Sequence, residues 1–311
     1  MITVALPRVP GVSPRFRMLT ALAVLYVVWS STYLALRHVV VALPPLLSGG
    51  GRFLVAGAAL FAFQRWRGEP LPARRDWVPA AISGALLFAG GNGLVCIAET
   101  RVSSGVAAVA CASTPLFVAA IGTLWGERPS RREVAGLALG FAGVVALAAS
   151  ADILGAGVRG LLLLASPFAW ALGTVIARRA RPASPVTFAA QQMVCGSVAL
   201  MLASAAVGEH VPHHVPAGAW LALGYLALFG SVVAFPAFAY LVKHARPAVA
   251  TSYAYVNPVL AVLLGAAVGG ESLTAMSLVA LGLVIAAVVV VARGRGSEPR
   301  SEIARAVVVS E

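Results

Sequence analysis

Charge is what this chain most lacks. Only 11% of its 311 residues are charged, against about 25% in a soluble globular protein. Acids are scarcest, eleven against 23 lysines and arginines. The three cysteines, Cys96, Cys111 and Cys195, are odd in number and have no metal-ligand spacing. They exclude a disulfide framework and a thiolate metal site and are expected as free thiols. No G-x-x-x-x-G-K-[ST] phosphate loop is present, which argues against ATP-driven work. No H-E-x-x-H, histidine–aspartate pair or serine motif supplies catalytic residues, so none is named. A membrane-embedded lipid- or metabolite-modifying enzyme stays only as the alternative reading. Neither cofactor nor metal is expected.

Apolar residues make up 60% of the chain, and the mean hydropathy is +0.90. Runs of about 18 apolar residues can cross a hydrocarbon layer as helix. Ten occur, at 19–37, 46–63, 77–97, 103–124, 134–150, 160–177, 186–207, 219–241, 248–268 and 273–292. The first is too long for a signal core, and Trp29, Tyr33 and Arg37 stand where a cleavage site needs small residues. The expectation is an all-α polytopic membrane protein with ten transmembrane helices.

The basic residues orient it. With the N-terminus inside, nineteen of the 23 fall in inner segments. Only Arg37, Arg101 and Arg159 fall outside, and Arg52 lies within a run. Short loops follow the positive-inside rule, so both termini are expected in the cytoplasm and the protein in the inner (plasma) membrane. The net charge of +12 is thereby explained by membrane orientation, not by nucleic acid, which is not expected as a partner.

The chain is also written twice. Residues 100–127, "TRVSSGVAAVACASTPLFVAAIGTLWGE", align with 243–271, "KHARPAVATSYAYVNPVLAVLLGAAVGGE", placing Thr114-Pro115 on Asn257-Pro258 and Glu127 on Glu271. Trp29, Tyr33 and Arg37 recur as Trp170, Thr174 and Arg178 at the same spacing, on one helix face. Five runs per half is odd, so the second half enters the membrane from the opposite side. That is an inverted repeat, a transporter architecture. The expected segments are a tail at 1–18, a first five-helix repeat at 19–150, an inverted second at 159–292 and a tail at 293–311. The inner loop "GERPSRRE" (126–133) keeps its arginines; the matching outer loop "GGESLTAM" (269–276) has none.

These stretches resemble a known family. "WSSTYLALRHVV" with "PPLLSGGGRFLVAG", then "TPLFVAAIGTLWGERPSRREVAGLALGFAGVV" and "SYAYVNPVLAVLLGAAVGGESL", look like the two EamA domains of the drug/metabolite transporter superfamily, over about residues 18–292. The resemblance implies a ten-helix inner-membrane transporter, usually an exporter of amino acids, other metabolites or drugs. It also implies a central cavity between the halves, with the fifth and tenth helices peripheral.

Polar groups inside the runs are expensive against lipid and should face one another or water. Runs five and ten have small-residue faces, "GLALGFAG" (136–143) and "SLVALG" (277–282), and no amide, aromatic hydroxyl or charge in their interiors. The substrate-binding set read from the other runs is Trp29, Tyr33, Arg52, Asn92, Thr114, Trp170, Gln192, Tyr255 and Asn257. Pro115 and Pro258 are expected to break their helices at matched depth, freeing the carbonyls of Cys111 and Ala254. Arg52 either snorkels outward along its own helix or meets a substrate anion. The deep aromatics either stack on a ligand or, like Trp77, Trp125 and Trp220 at run ends, belong to interface belts. "HVPHH" (210–214) reads as a solvated loop, and Ser130 with Glu133 as a capping box. Glu127 and Glu271 read as helix-end residues. The expected partners are a small-molecule substrate and the lipid bilayer, with the chain a monomer or homodimer. The other acids are read as loop or tail residues, and Glu99 is placed at the outer end of the third run, two residues before Arg101. With no acid at mid-membrane, facilitated movement or exchange is expected over proton coupling.

Overall fold

A computed structural model describes residues 13–148 except 103 and 128, residues 158–269, and isolated positions between 278 and 290. The described residues hold helices and no strand. Five helices are each long and apolar enough to cross a membrane: span one (Pro14–Ala42), two (Pro45–Trp66), three (Arg74–Glu99), seven (Pro185–Ala206) and eight (Ala217–His244). Span four is a broken helix, Ser104–Cys111 and Thr114–Thr123. Span five is Arg131–Ala148 and span six Val158–Ala180. Span nine is Tyr253–Gly269, preceded by a short turn of helix at Pro247–Ala250. The tenth run lies mostly outside the described residues.

Local chemistry sets the helix ends. Ser13 and Ser184 accept backbone N–H bonds from Phe16 (3.2 Å) and Thr187 (3.3 Å), and Pro14 and Pro185 take the first helical position, where no N–H is missed. Spans two and seven end alike. Gly68 (φ +82°) and Gly208 (φ +69°) adopt the left-handed conformation that glycine tolerates. In each, two N–H bonds return to the last turn: Gly68 to Arg65 and Glu69 to Gln64, Gly208 to Ala205 and Glu209 to Ser204. The Ser130–Glu133 capping box forms, with Ser130 N to Glu133 Oε2 at 2.8 Å and Glu133 N to Ser130 Oγ at 3.2 Å.

Spans one, three and eight each contain a π-helical stretch, Leu25–Trp29, Ala85–Gly93 and Leu226–Val233. The last two stand at matching places in the repeats. The wider turn of a π stretch leaves carbonyls off the ordinary ladder, a feature frequent at functional sites. Pro236 follows the third stretch, so the carbonyl four residues back lies within it.

Between membrane helices, packing depends on close approach. Spans three and seven nearly touch: a Cβ on Gly84 would collide with the Gln192 carbonyl oxygen, and one on Gly196 would lie 2.6 Å from the Gly84 carbonyl oxygen. Span two packs along span seven in the same way, with Gly57 against Met193 and Val194.

The expected proline breaks are only half observed. Span four is interrupted at Ala112–Ser113, and the carbonyl of Cys111 accepts the Thr114 hydroxyl at 2.7 Å. Pro258 instead lies inside a continuous helix. The break falls earlier, at Thr251–Ser252, where Thr251 Oγ1 and Ser252 Oγ bond the carbonyls of Pro247 and Val249, each at 2.8 Å. Hydroxyls that bond back to the chain compete with the helical ladder and end the short turn there.

Candidate functional site

Both repeats contribute to the lining of one cavity. Span one supplies Trp29 and Tyr33, span two Arg52, span three Asn92, span four Thr114, span six Trp170 and span nine Asn257. Seven of the nine residues read from the sequence therefore meet at one space. Two do not. Gln192 donates to Ser83 Oγ at 2.7 Å, tying span seven to span three, and lines a separate vestibule. Tyr255 is 2% exposed, its ring against Gly140 of span five, where the small-residue face leaves room for it. Its hydroxyl bonds the Leu137 carbonyl at 3.4 Å. Gln192 and Tyr255 had the right residue type at the right depth but face other neighbours, and helix rotation is poorly encoded by place along a run.

The aromatic wall is built from both halves. Trp29 meets Trp170 edge to face, ring centres 5.6 Å apart, and Tyr253 at 4.7 Å. The indole N–H of Trp29 donates to the Gly230 carbonyl (3.1 Å) in the π stretch of span eight, and that of Trp170 to the Tyr253 hydroxyl (2.8 Å). Phe235 lines the cavity as well. Phe238, in contact with Trp29 and Trp170 at 5.3 and 5.8 Å, lines the vestibule on the other side. This layer of rings thus lies between the two spaces. The vestibule opens among Arg178, Arg179, Arg181 and Lys243, the basic end of the bundle. Two ion pairs cross that end, Arg178–Glu127 at 3.8 Å and Arg246–Glu133 at 3.0 Å. Glu127, expected to serve a helix end, pairs with Arg178 in the last turn of span six.

Arg52 does not snorkel. It is 6% exposed, its Nε donates to Ser231 Oγ at 2.9 Å, and its guanidinium stands 4.6 Å from the Phe53 ring centre. Gly230, Ser231 and Phe235 were not read from the sequence. The only signal for the first two is the likeness of "LALFGS" (226–231) to "LLFAGG" (86–91) at the matching place in the first repeat.

Glu99 also departs from its expected setting. It is fully buried, and neither carboxyl oxygen has a hydrogen-bond partner among the described residues. Arg101 is exposed; it is Arg37, from span one, that reaches Glu99, donating to its backbone carbonyl. The loop histidines 210, 213 and 214 are exposed, and no cluster able to hold a metal occurs among the described residues. All three cysteines are free.

The family described as EamA-like transporter family matches the chain twice, over residues 17–149 and 159–293. The chain is 43% identical over 286 residues to the "Uncharacterized inner membrane transporter YedA" of Escherichia coli (strain K12), covering 90% of this chain and 94% of that protein. It is 27% identical over 274 residues to the "Probable amino-acid metabolite efflux pump" of Salmonella typhimurium, covering 84% and 89%. A solved crystal structure shares the fold, with a TM-score of 0.71 at 24% identity, covering 88% of this chain and 95% of that one.

Proposed function

The chain belongs to the EamA-like transporter family, and we propose that within it the protein is a secondary transporter that exports small organic solutes, amino acids, related metabolites or drugs, by alternating access. It is a membrane transporter on family grounds, and the solute and direction are the proposal. The observation that carries the reading is the cavity walled by both repeats, with Trp29 and its repeat partner Trp170 in edge-to-face contact in its wall. A site at the interface of inverted repeats is reached from either face when one half rocks against the other. The ring layer and the two ion pairs at the basic end fit a state closed on that side. The basic end is the cytoplasmic one in this reading, by the arginine bias. The relative named as a probable amino-acid metabolite efflux pump supports export and that solute class.

The test is counterflow in liposomes. Purified protein should speed exchange of labelled solute from a panel of amino acids, nucleosides and drugs, and Trp170→Ala should slow it about tenfold or more. Exchange no faster than in protein-free liposomes for every panel member would sink the transport reading as stated.

A further inference from the structure

The cavity contains a charge that no described acid balances. Arg52 stands in the second turn of span two, nine-tenths buried. Nε is spent on Ser231, but Nη1 and Nη2 have no hydrogen bond to any described residue, and no described acid is within ion-pair distance. None of the described residues lining the cavity is acidic. Burying a guanidinium without a counter-charge is costly, and the cost is offset only when an anion or water reaches its free nitrogens.

The rest of the unspent hydrogen-bonding capacity has the same sense. Asn92 Oδ1 accepts the Cys96 thiol, which leaves its amide N–H₂ for the cavity, and the Asn257 amide lines the same space beside the Ser30 hydroxyl. The Trp29 and Trp170 N–H groups are already used. Two helices also begin at this wall, Thr114–Thr123 and Tyr253–Gly269, their first residues lining the space. A helix N-terminus carries partial positive charge and favours an anion.

We infer that the solute is a small organic anion, its carboxylate or equivalent oxyanion held by Arg52 and assisted by Asn92 and Asn257, with its apolar body against Trp29 and Trp170. A single arginine matches a single negative charge, and its planar fork suits a carboxylate in two-point contact. This rests on the cavity being the transport site, and it narrows the solute class.

The experiment compares cells expressing the wild-type protein, Arg52→Gln or Arg52→Lys, each at measured membrane abundance. Small molecules are profiled in medium and cell extract, so that export and import both register. The solutes redistributed by the wild type should be carboxylates or other oxyanions, and their identity separates carboxylate from phosphate or sulfonate. Arg52→Gln should lower their redistribution about tenfold or more, and Arg52→Lys less, because it keeps the charge and loses the fork. Redistribution confined to solutes that carry no carboxylate or other oxyanion, or equal flux through Arg52→Gln, overturns the inference and leaves transport standing. No redistribution by the wild type overturns the transport reading and this inference with it. If Arg52→Gln fails to reach the membrane, Arg52→Lys decides: reduced anion flux at normal abundance supports the inference, and unchanged flux overturns it.

Discussion

Arg37 and Arg178 make the same two bonds at opposite ends of the molecule. Nη1 of Arg37 donates to the carbonyls of Glu99 and Val102, and Nη1 of Arg178 to those of Val242 and Ala245. The second pair of carbonyls lies 143 residues beyond the first, the offset that also brings Pro115 onto Pro258. Each arginine clasps the C-terminal end of the third helix in its own repeat, where four carbonyls lack helical partners and the dipole favours a cation. Arg37→Ala and Arg178→Ala should each destabilise by about 1–2 kcal/mol and lower the thermal midpoint by roughly 2–5 °C in detergent. Lysine should recover part of the loss. Midpoints unchanged in both alanine variants would show the clasp to be energetically idle.

Glu209 joins the repeats at the other end. Its two carboxyl oxygens accept the backbone N–H groups of Leu46 (3.2 Å) and Leu47 (2.8 Å), and Oε2 also accepts the Ser204 hydroxyl. Span two, beginning at Pro45, has no side-chain cap of its own, so a carboxylate from the second repeat takes that place. Glu209→Gln should cost about 1 kcal/mol, read as a lower thermal midpoint. Substitution of the exposed neighbours His210 and His213 should leave it within about 0.5 kcal/mol of wild type. A larger loss from the histidine variants than from Glu209→Gln would contradict this assignment.

The architecture was legible in the sequence because hydrophobic run length, matched aromatic–arginine faces and a paired Gly-Glu loop are properties of the chain itself. The cavity was legible in most of its residues because polar groups at mid-membrane have few places to go. What escaped was helix rotation and helix phase. Gln192 and Tyr255 could not be told from Asn92 and Asn257, because the place of a polar group along a run gives its depth and not the neighbour it faces. Pro258 pointed to a break that two hydroxyls, on Thr251 and Ser252, instead place several residues earlier. The burial of Glu99 was hidden by its place at the end of a run: helix three continues to that residue and span one covers it through Arg37.

Topology can be read by labelling. On the arginine bias, Ser130 is expected in the cytoplasm and Ser272, in the matching loop of the second repeat, outside. Single cysteines at these positions should react with a membrane-impermeant thiol reagent from opposite faces. A background with Cys96, Cys111 and Cys195 replaced removes interference from the native thiols. Reaction of both from one face would remove the inverted arrangement.

Trp29 and Asn257 bind the two repeats together around the cavity, one through the Gly230 carbonyl and the other through Ser30. Trp29→Ala and Asn257→Ala should each reduce transport about tenfold while the protein still reaches the membrane. Trp125→Ala, half-exposed at a helix end, should not. Transport through Trp29→Ala at the wild-type rate would place the solute path elsewhere.

The final prediction concerns the driving force. The sequence offered no mid-membrane acid, and the burial of Glu99 removes that ground for excluding a proton route. The cavity gives a better one. Direct competition between solute and proton needs a carboxyl that faces the solute, whereas a carboxyl elsewhere couples only through the conformational states of the protein. Glu99 is outside the cavity lining, a turn beyond Val95, and no described acid replaces it there. Movement down the solute's own gradient, or exchange, is therefore expected. In liposomes a pH gradient imposed without a solute gradient should produce no accumulation, and Glu99→Gln should leave equilibrium exchange within about twofold of wild type. Accumulation that Glu99→Gln abolishes would assign the proton to Glu99 and show that the coupling passes through a group outside the cavity.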